Sequence, residues 1–189
     1  EYDYSLILTG HTACDQAETV LMRVLSGSSA AGLSGIPSRR GRLARPFLAI
    51  HKSSLLAYLA MYGIPYSSDS TNSTNDYQRN RLRHELIPLV ASLFPSYRQS
   101  LALLAAKAAD EEAALGQWAE SLVDSRGADV SAVADAPIAV RERALFRILN
   151  QSGLCPPGGR LSWAMVHQAA RALPKAKNAN KTFILARGA

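Results

Sequence analysis

The chain has 189 residues, a net charge of +6 and a pI near 9.6. Hydrophobic residues make up 48% of it, enough for a core, which argues against disorder over most of its length. No apolar run approaches the roughly 20 residues of a membrane-spanning helix, and the two cysteines form no CxxC pair. We therefore expect a cytoplasmic protein with free thiols and no membrane association, whose basic charge permits a polyanionic partner.

The first predicted elements are a strand and a helix separated by a glycine. Residues 4–9 are expected to form a strand buried on both faces, as in a parallel sheet, and Gly10 ends it. A helix is expected from Asp15, which can cap it while Glu18 completes a capping box. Helical spacing predicts one buried stripe on it, formed by Ala17, Val20, Leu21, Val24 and Leu25.

An arginine-rich turn and a second helix follow. Four arginines with no acid among them stand in the turn, namely Arg39, Arg40, Arg42 and Arg45. We expect the turn to be exposed and to lead into a short strand. The next helix presents Leu55, Leu56, Leu59 and Tyr62 on one face, and Gly63 and Pro65 predict its end.

A second polar cluster lies between residues 69 and 84. Its members are Asp69, Asn72, Asn75, Arg79, Asn80, Arg81, Arg83 and His84. If a helix starts near Tyr77, Arg79 and Arg83 share one face, where two guanidinium groups suit a phosphate or a carboxylate. A solvated helix face, with Asp76 and Glu85 as partners, explains the same residues.

The remainder of the chain is predicted to be helical. A long amphipathic helix is expected from residue 96 to about 125, and others at 138–151 and 161–173, with a short strand at 182–185. We place one domain at residues 1–92, a helical domain at 93–175, and a linker or the start of a further segment at 176–189.

The polar residues after the first strand suit a ligand site. Ligands of open α/β sheets bind beyond the carboxyl ends of the strands, and a helix N-terminus there attracts anions. Asp15 can hold a magnesium ion that bridges phosphates, and His11 can donate a hydrogen bond to a phosphate oxygen. The alternative is that Asp15 only caps the helix and that His11 is an ordinary turn residue.

In order and spacing, these motifs resemble the bacterial tRNA(Ile)-lysidine synthetases of the PP-loop ATP pyrophosphatase superfamily. Here they read GHTACDQAET, RPFL, GIPYSSDSTN and RNRLRHELIP. The resemblance implies an α/β fold: the C-terminal part of a PP-loop parallel-sheet domain, followed by an all-helical tRNA-binding domain. The family's phosphate loop, S-G-G-x-D-S, does not occur in the sequence. We therefore expect the 189 residues to be part of a longer chain and to be inactive alone.

The resemblance also implies a reaction and its partners. An ATP-dependent ligase of this family, with magnesium, adenylates the wobble cytidine of tRNA(Ile) with a CAU anticodon, and L-lysine then displaces AMP to form lysidine. An open edge on the first strand would be covered by a second copy, as in a homodimer, or by another chain. Two other functions remain open: a tRNA-binding scaffold that has lost ATP chemistry, and a PP-loop tRNA thiolase.

Residue roles carried over by the resemblance fall into three sets. His11, Asp15, Arg79 and Arg83 are the expected catalytic residues, with Asp15 as magnesium ligand. Gln16 and Asn80 join His11 and Asp15 in the nucleotide site. The basic turn, Arg39 to Arg45, is a candidate tRNA contact, or else a solvated loop. Thr12 and Cys14 replace a histidine and an aspartate of the family pattern, which favours the scaffold alternative.

Overall fold

The computed structural model describes residues 4–67, 77–124, 127–152 and 162–176. The chain divides into two compact units, Glu1–Glu111 and Glu112–Ala189. This division falls inside one helix, Tyr97–Ser121, and the start of that helix belongs to the first unit. The domain boundary after residue 92 stays a prediction. None of the helices in the described ranges combines the length and the hydropathy that a membrane span requires.

The first unit combines a small mixed sheet with helices. Its strands are β1 (Ile7–Leu8), β2 (Arg39–Arg40) and β3 (Leu43–Ala44). Its helices are α1 (Ala13–Leu25), α2 (Ala30–Leu33), α3 (Lys52–Met61), α4 (Tyr77–Arg81), α5 (Ile87–Leu93) and the start of α6 (Tyr97–Ser121). The strand order is β1-β3-β2, with β1 parallel and β2 antiparallel to β3. The predicted α/β class with a helical part is confirmed.

The first strand is shorter and more exposed than the sequence predicted. Only Ile7–Leu8 form the strand, and Leu8 is 64% exposed. The expectation of burial on both faces is therefore wrong for the described structure. A strand is buried when strands flank both of its edges and other layers cover its faces, and β1 has one partner strand, β3, among the described residues.

Helix α1 begins two residues earlier than predicted. Thr12 is its N-cap and Asp15 occupies the third helical position, so Asp15 is not the cap itself. The Asp15 Oδ2 accepts hydrogen bonds from the Thr12 N–H and hydroxyl, both at 2.8 Å. Glu18 thus takes no part in the cap, and its carboxylate is available to other partners. Of the predicted stripe, Ala17 and Val20 are buried, whereas Val24 and Leu25 at the helix end are exposed.

Helix α3 and the start of α4 agree with the sequence prediction, whereas α2 was not predicted. Helix α3 ends at Met61, and Gly63 adopts a φ of +60° after it, as the Gly–Pro pattern predicted. Between α4 and α5, Leu82–Leu86 form one π-helical turn, hereafter the π turn. Pro88 has no N–H to offer the carbonyl of His84, four residues earlier, so the α-helical hydrogen-bond ladder is interrupted there.

The second unit is a helical bundle with a short hairpin. It contains the end of α6, a hairpin of β4 (Val123–Asp124) and β5 (Gly127–Ala128), and the helices α7 (Val130–Asp135), α8 (Ile138–Gln151) and α9 (Trp163–Ala176). The predicted helices correspond to α6, α8 and α9, whereas α7 and the hairpin were not predicted. The buried core includes Ala119, Val133, Val140 and Ala144. The predicted strand at 182–185 lies outside the described residues.

Candidate active site

The first group of the site stands between β1 and α1, where the sequence predicted it. The Thr9 Oγ1 and the His11 Nδ1 lie 2.9 Å apart, which ties the histidine ring to the end of the strand. Asp15 lies in the first turn of α1, at the positive end of the helix dipole. The loop and the helix cap together hold His11 and Asp15 at the carboxyl end of β1.

The second group stands on α4 and the π turn and joins the first through ion pairs. The Arg79 Nε lies 3.2 Å from the Glu18 Oε2, and its Nη2 lies 3.3 Å from the Asp15 Oδ1. Arg83 binds Glu18 through two parallel hydrogen bonds, from Nε to Oε1 and from Nη2 to Oε2, both 2.8 Å long. We call these four residues, Asp15, Glu18, Arg79 and Arg83, the carboxylate–arginine network.

Burial makes Glu18 the centre of this network. Its side chain is only 6% exposed, while Arg79 and Arg83 are about one-third exposed, at 34% and 37%. A buried carboxylate requires charged partners, and paired two-point contacts with guanidinium groups are the strongest that proteins offer. Glu18 therefore fixes the orientation of both arginines while leaving part of each accessible.

The network also perturbs proton affinities. Burial opposes ionisation of Asp15, but the hydrogen bonds from Thr12 and the charges of Arg79 and His11 outweigh it and lower the pKa of that carboxyl below its ordinary value. The hydrogen bonds from Arg83 to Glu18 raise the pKa of the Arg83 guanidinium, against the effect of burial. Asp15 and Arg83 are therefore fully charged at neutral pH.

Other residues predicted in the second cluster are placed differently. Asn80 is half-buried on α4. Arg81 points away from the network and pairs with Glu85 at 2.9 Å on the exposed side, as the solvated-face interpretation predicted for Arg81. Asp69, Asn72 and Asn75 lie outside the described residues.

Gln16, predicted in the nucleotide site, contacts the loop after α2. Its Oε1 accepts a hydrogen bond from the Ile36 N–H at 2.6 Å, and its Nε2 donates to the Ile36 carbonyl at 3.3 Å. Arg23, two turns further along α1, donates to the carbonyls of Gly32 and Gly35. Both side chains therefore anchor residues 32–36 to α1, and the nucleotide role of Gln16 stays a prediction.

The basic turn forms the β2–β3 hairpin, and its arginines differ in their contacts. Arg42 donates to the Tyr4 carbonyl at 3.0 Å, and Arg45 donates to the Pro37 carbonyl at 2.8 Å. Arg39 makes a long contact, 3.4 Å, with the Gly41 carbonyl. Arg39, Arg40 and Arg42 are exposed, whereas Arg45 is half-buried. The tRNA role predicted for these four arginines suits the exposed ones better than Arg45.

A cleft of about 490 Å³ opens beside the carboxylate–arginine network, hereafter the central cleft. Its apolar wall consists of Leu55, Leu56, Leu59 and Ile87. Its charged lining consists of Asp15, Glu18, Lys52, Arg83 and Arg98. Sequence reasoning missed Lys52, Tyr97 and Arg98, because they lie in no motif. All three stand in the first turn of a predicted helix. A cation is unusual in a first turn, and this feature of the sequence could have drawn attention to Lys52 and Arg98.

Asp15 is the residue that the sequence predicts as a magnesium ligand. The described residues contain no group of three or more histidine, cysteine or acidic side chains that would hold a metal ion by themselves. Magnesium commonly uses one or two carboxylates together with substrate phosphates. Asp15 would offer its Oδ1, since its Oδ2 is engaged by Thr12. The Oδ1 also lies 3.3 Å from the Arg79 Nη2, so a magnesium ion would share this oxygen with the arginine.

Comparison with known proteins identifies a domain family in the first part of the chain and several relatives. A model of the PP-loop domain matches residues 1–90, so this part of the chain belongs to the PP-loop domain family. The chain is further similar to proteins named tRNA(Ile)-lysidine synthase. It is 41% identical to that of Thermus thermophilus over 156 residues, covering 79% of this chain and 30% of the relative.

Two further relatives carry the same name. The chain is 36% identical to that of Thermobifida fusca over 158 residues, covering 80% of this chain and 48% of the relative. It is 37% identical to that of Deinococcus deserti over 148 residues, covering 78% of this chain and 26% of the relative. The chain thus spans between about a quarter and a half of the length of these curated relatives.

Proposed function

We propose that this chain is part of an ATP-dependent ligase that joins L-lysine to the wobble cytidine of tRNA(Ile) with a CAU anticodon. The observation that carries the proposal is the carboxylate–arginine network. Residues 15–18 and 79–83 belong to two separate motifs of the lysidine synthetase pattern, and direct ion pairs bring them together. The similarity to proteins named tRNA(Ile)-lysidine synthase supports the substrate.

The reaction has two steps that require different kinds of help. In the first, the cytidine C2 oxygen attacks the α-phosphorus of ATP and pyrophosphate leaves. In the second, the ε-amine of lysine, in its neutral form, attacks C2 and AMP departs with the oxygen. Negative charge builds up on phosphate oxygens in both steps, so fixed positive groups stabilise the transition states.

His11 and Asp15 are proposed to act at the α-phosphate. His11 can donate a hydrogen bond to a phosphate oxygen from its position beside Thr9. Asp15 is proposed to hold magnesium, which neutralises phosphate charge when it is bound. The lowered pKa of Asp15 supports this role, because only the ionised carboxylate is a ligand. Asn80 and Gln16 are proposed as neighbours of the nucleotide.

Arg79 and Arg83 are proposed to stabilise the phosphate or the adenylated intermediate. Their guanidinium groups are held by Glu18 before any substrate arrives, so little reorganisation is needed during the reaction. Arg83 also lines the central cleft, which gives its exposed part a place to meet a ligand.

The test uses the protein expressed from the complete open reading frame that encodes this chain. We expect AMP release and lysidine formation only when ATP, L-lysine and a tRNA(Ile) transcript with a CAU anticodon are all present. Omitting each in turn is the control, and a transcript with a different wobble base is the substrate control. Salt-dependent tRNA binding without AMP release would instead support the scaffold alternative.

A further inference from the structure

We propose that Lys52 and Arg98 form a binding site for a phosphate group of the substrate in the central cleft. The site deepens the proposed function and rests on it, because tRNA and ATP are the phosphate-bearing substrates of that reaction. Neither residue belongs to the motifs that carry the resemblance, and Arg98 lies beyond the matched PP-loop domain, residues 1–90.

Three helix N-termini meet at the central cleft. Thr12 and Asp15 come from the start of α1, Lys52 is the first residue of α3, and Arg98 is the second residue of α6. The N-terminal end of each helix carries a partial positive charge. These helices have 13, 10 and 25 residues, so each is long enough to contribute a dipole, and the three together favour an anion.

Lys52 and Arg98 add to the positive field at the N-termini of α3 and α6, a field that acidic side chains usually neutralise. Acidic residues are favoured in the first turn of a helix, and a cation there is unfavourable. The first turns of α3 and α6 contain no acidic residue but carry Lys52 and Arg98. This placement costs helix stability, and a bound anion would offset that cost.

The charge balance of the cleft leaves these two cations available. Asp15 and Glu18 are paired with Arg79 and Arg83. Within the described ranges, neither Lys52 nor Arg98 forms a salt bridge with a carboxylate. Burial raises the pKa of Tyr97, so its hydroxyl adds no negative charge to the cleft.

Arg98 is the more enclosed of the two cations, since it is partly buried and Lys52 is exposed. Its Nε is buried, and no acceptor among the described residues reaches it. A buried N–H without an acceptor costs the free energy of its lost hydration. The guanidinium carbon lies 4.8 Å from the centre of the Tyr97 ring, and this contact orients its planar fork. The Nε itself is enclosed by the protein, so a phosphate oxygen would accept from the remaining N–H groups of this fork, whose planar geometry suits it.

The dimensions of the cleft agree with a phosphate-bearing ligand. A volume of about 490 Å³ lies within the usual range for small-ligand sites. The wall of leucines, Leu55, Leu56 and Leu59, offers an apolar surface for a base or a ribose. Two substrates carry such a group: the tRNA has backbone phosphates, and ATP has a polyphosphate.

The experiment compares Arg98→Gln and Lys52→Gln with the wild type, each made in the protein from the complete open reading frame. Lys107→Gln is the matched control, because Lys107 is an exposed cation on the same helix, α6. Binding of a tRNA(Ile) transcript is measured at several salt concentrations, and binding of ATP, pyrophosphate and L-lysine is measured by calorimetry. Circular dichroism verifies that each variant is folded.

We expect Arg98→Gln to weaken the binding of one phosphate-bearing ligand by about tenfold or more, and Lys52→Gln to weaken that binding less. Weaker tRNA binding with a smaller salt slope identifies an RNA phosphate, whereas weaker ATP and pyrophosphate binding with unchanged tRNA affinity identifies the nucleotide. The control variant should match the wild type in every assay.

Other outcomes overturn the proposal. Folded variants that bind tRNA, ATP and pyrophosphate as the wild type does would refute it. A loss of binding that is confined to L-lysine would refute it as well. A wild type that forms lysidine while the variants bind normally would refute this site alone. Arg98-dependent pyrophosphate binding without lysidine formation would support the site and refute the proposed function. A wild type that binds no phosphate ligand would refute both.

Discussion

Glu18 and Arg83, which are 65 residues apart in the chain, face each other through two parallel hydrogen bonds of 2.8 Å. The carboxylate belongs to α1 and the guanidinium to the π turn. This pair, with Arg79 as a second partner of the same carboxylate, fixes α4 and the π turn against α1.

Glu18→Ala is expected to reduce the free energy of unfolding by about 1–2 kcal/mol, because Arg79 and Arg83 lose their shared carboxylate while solvent compensates part of that loss at these partly exposed arginines. Urea unfolding of wild type and variant measures the difference. Glu85→Ala is the control, since Glu85 also pairs with an arginine, Arg81, but on the exposed surface, where such pairs contribute little. Equal losses in the two variants would mean that the buried pair has no special weight.

Arg83→Lys is expected to reduce lysidine formation by about 100-fold, although the charge is kept. Lysine cannot reproduce the two-point contact with Glu18, so the cation loses its fixed position. The measurement is the rate of AMP release in the complete protein with all three substrates. Arg81→Lys provides the comparison, and an equal loss in both variants would argue against a specific role for Arg83.

Asp15 should make stability depend on pH in a defined window. Its pKa is lowered in the folded chain from an ordinary value of 3.8, so its ionised form stabilises the fold above that value. The contribution is lost as the pH falls through the lower folded pKa. The difference in unfolding free energy between wild type and Asp15→Asn should be constant above about pH 5 and shrink below about pH 4.

Thr12→Val tests the cause of that pH dependence. Thr12 donates two hydrogen bonds to the Asp15 carboxylate, and the variant removes the one from the hydroxyl. The same urea titrations should then show a smaller gap between Thr12→Val and the double variant with Asp15→Asn. An unchanged gap would assign the lowered pKa to the Thr12 N–H and to the charges of Arg79 and His11.

Gly35→Ala is expected to destabilise the first unit by about 1–3 kcal/mol. Gly35 has a φ of +73°, and a Cβ there would lie 2.6 Å from the Gln16 Nε2, so both the backbone and the Gln16 contact to Ile36 would be strained. Gly116→Ala is the matched control, because Gly116 lies within α6 with open space around it. The free energy of unfolding of this control variant should rise by about 0.5–1 kcal/mol, as measured by thermal unfolding of both variants and the wild type.

The sequence predicted those parts of the site that depend on local patterns. The end of β1, the start of α1 and the common face of Arg79 and Arg83 follow from hydrophobic spacing and helical periodicity. The partner of those arginines, Glu18, was assigned to a helix cap, because the cap pattern is local and the ion pair spans more than 60 residues.

The central cleft illustrates what local patterns leave out. Lys52 and Arg98 are inconspicuous in sequence, and they face the site only because α3 and α6 start beside it. The hairpin β4–β5 and α7 were missed because elements of two to six residues carry too few positions for a periodic pattern to show.

The π turn determines the direction in which residues after it face relative to residues before it. A π turn holds one residue more than an α-helical turn would, so the helix after it is rotated by about 100° relative to an uninterrupted α-helix. Arg79 lies before the turn and Ile87, which lines the central cleft, lies after it. A deletion of one residue within Leu82–Leu86 would leave Arg79 in register and turn Ile87 off the cleft, so the length of this segment is as much constrained as its composition.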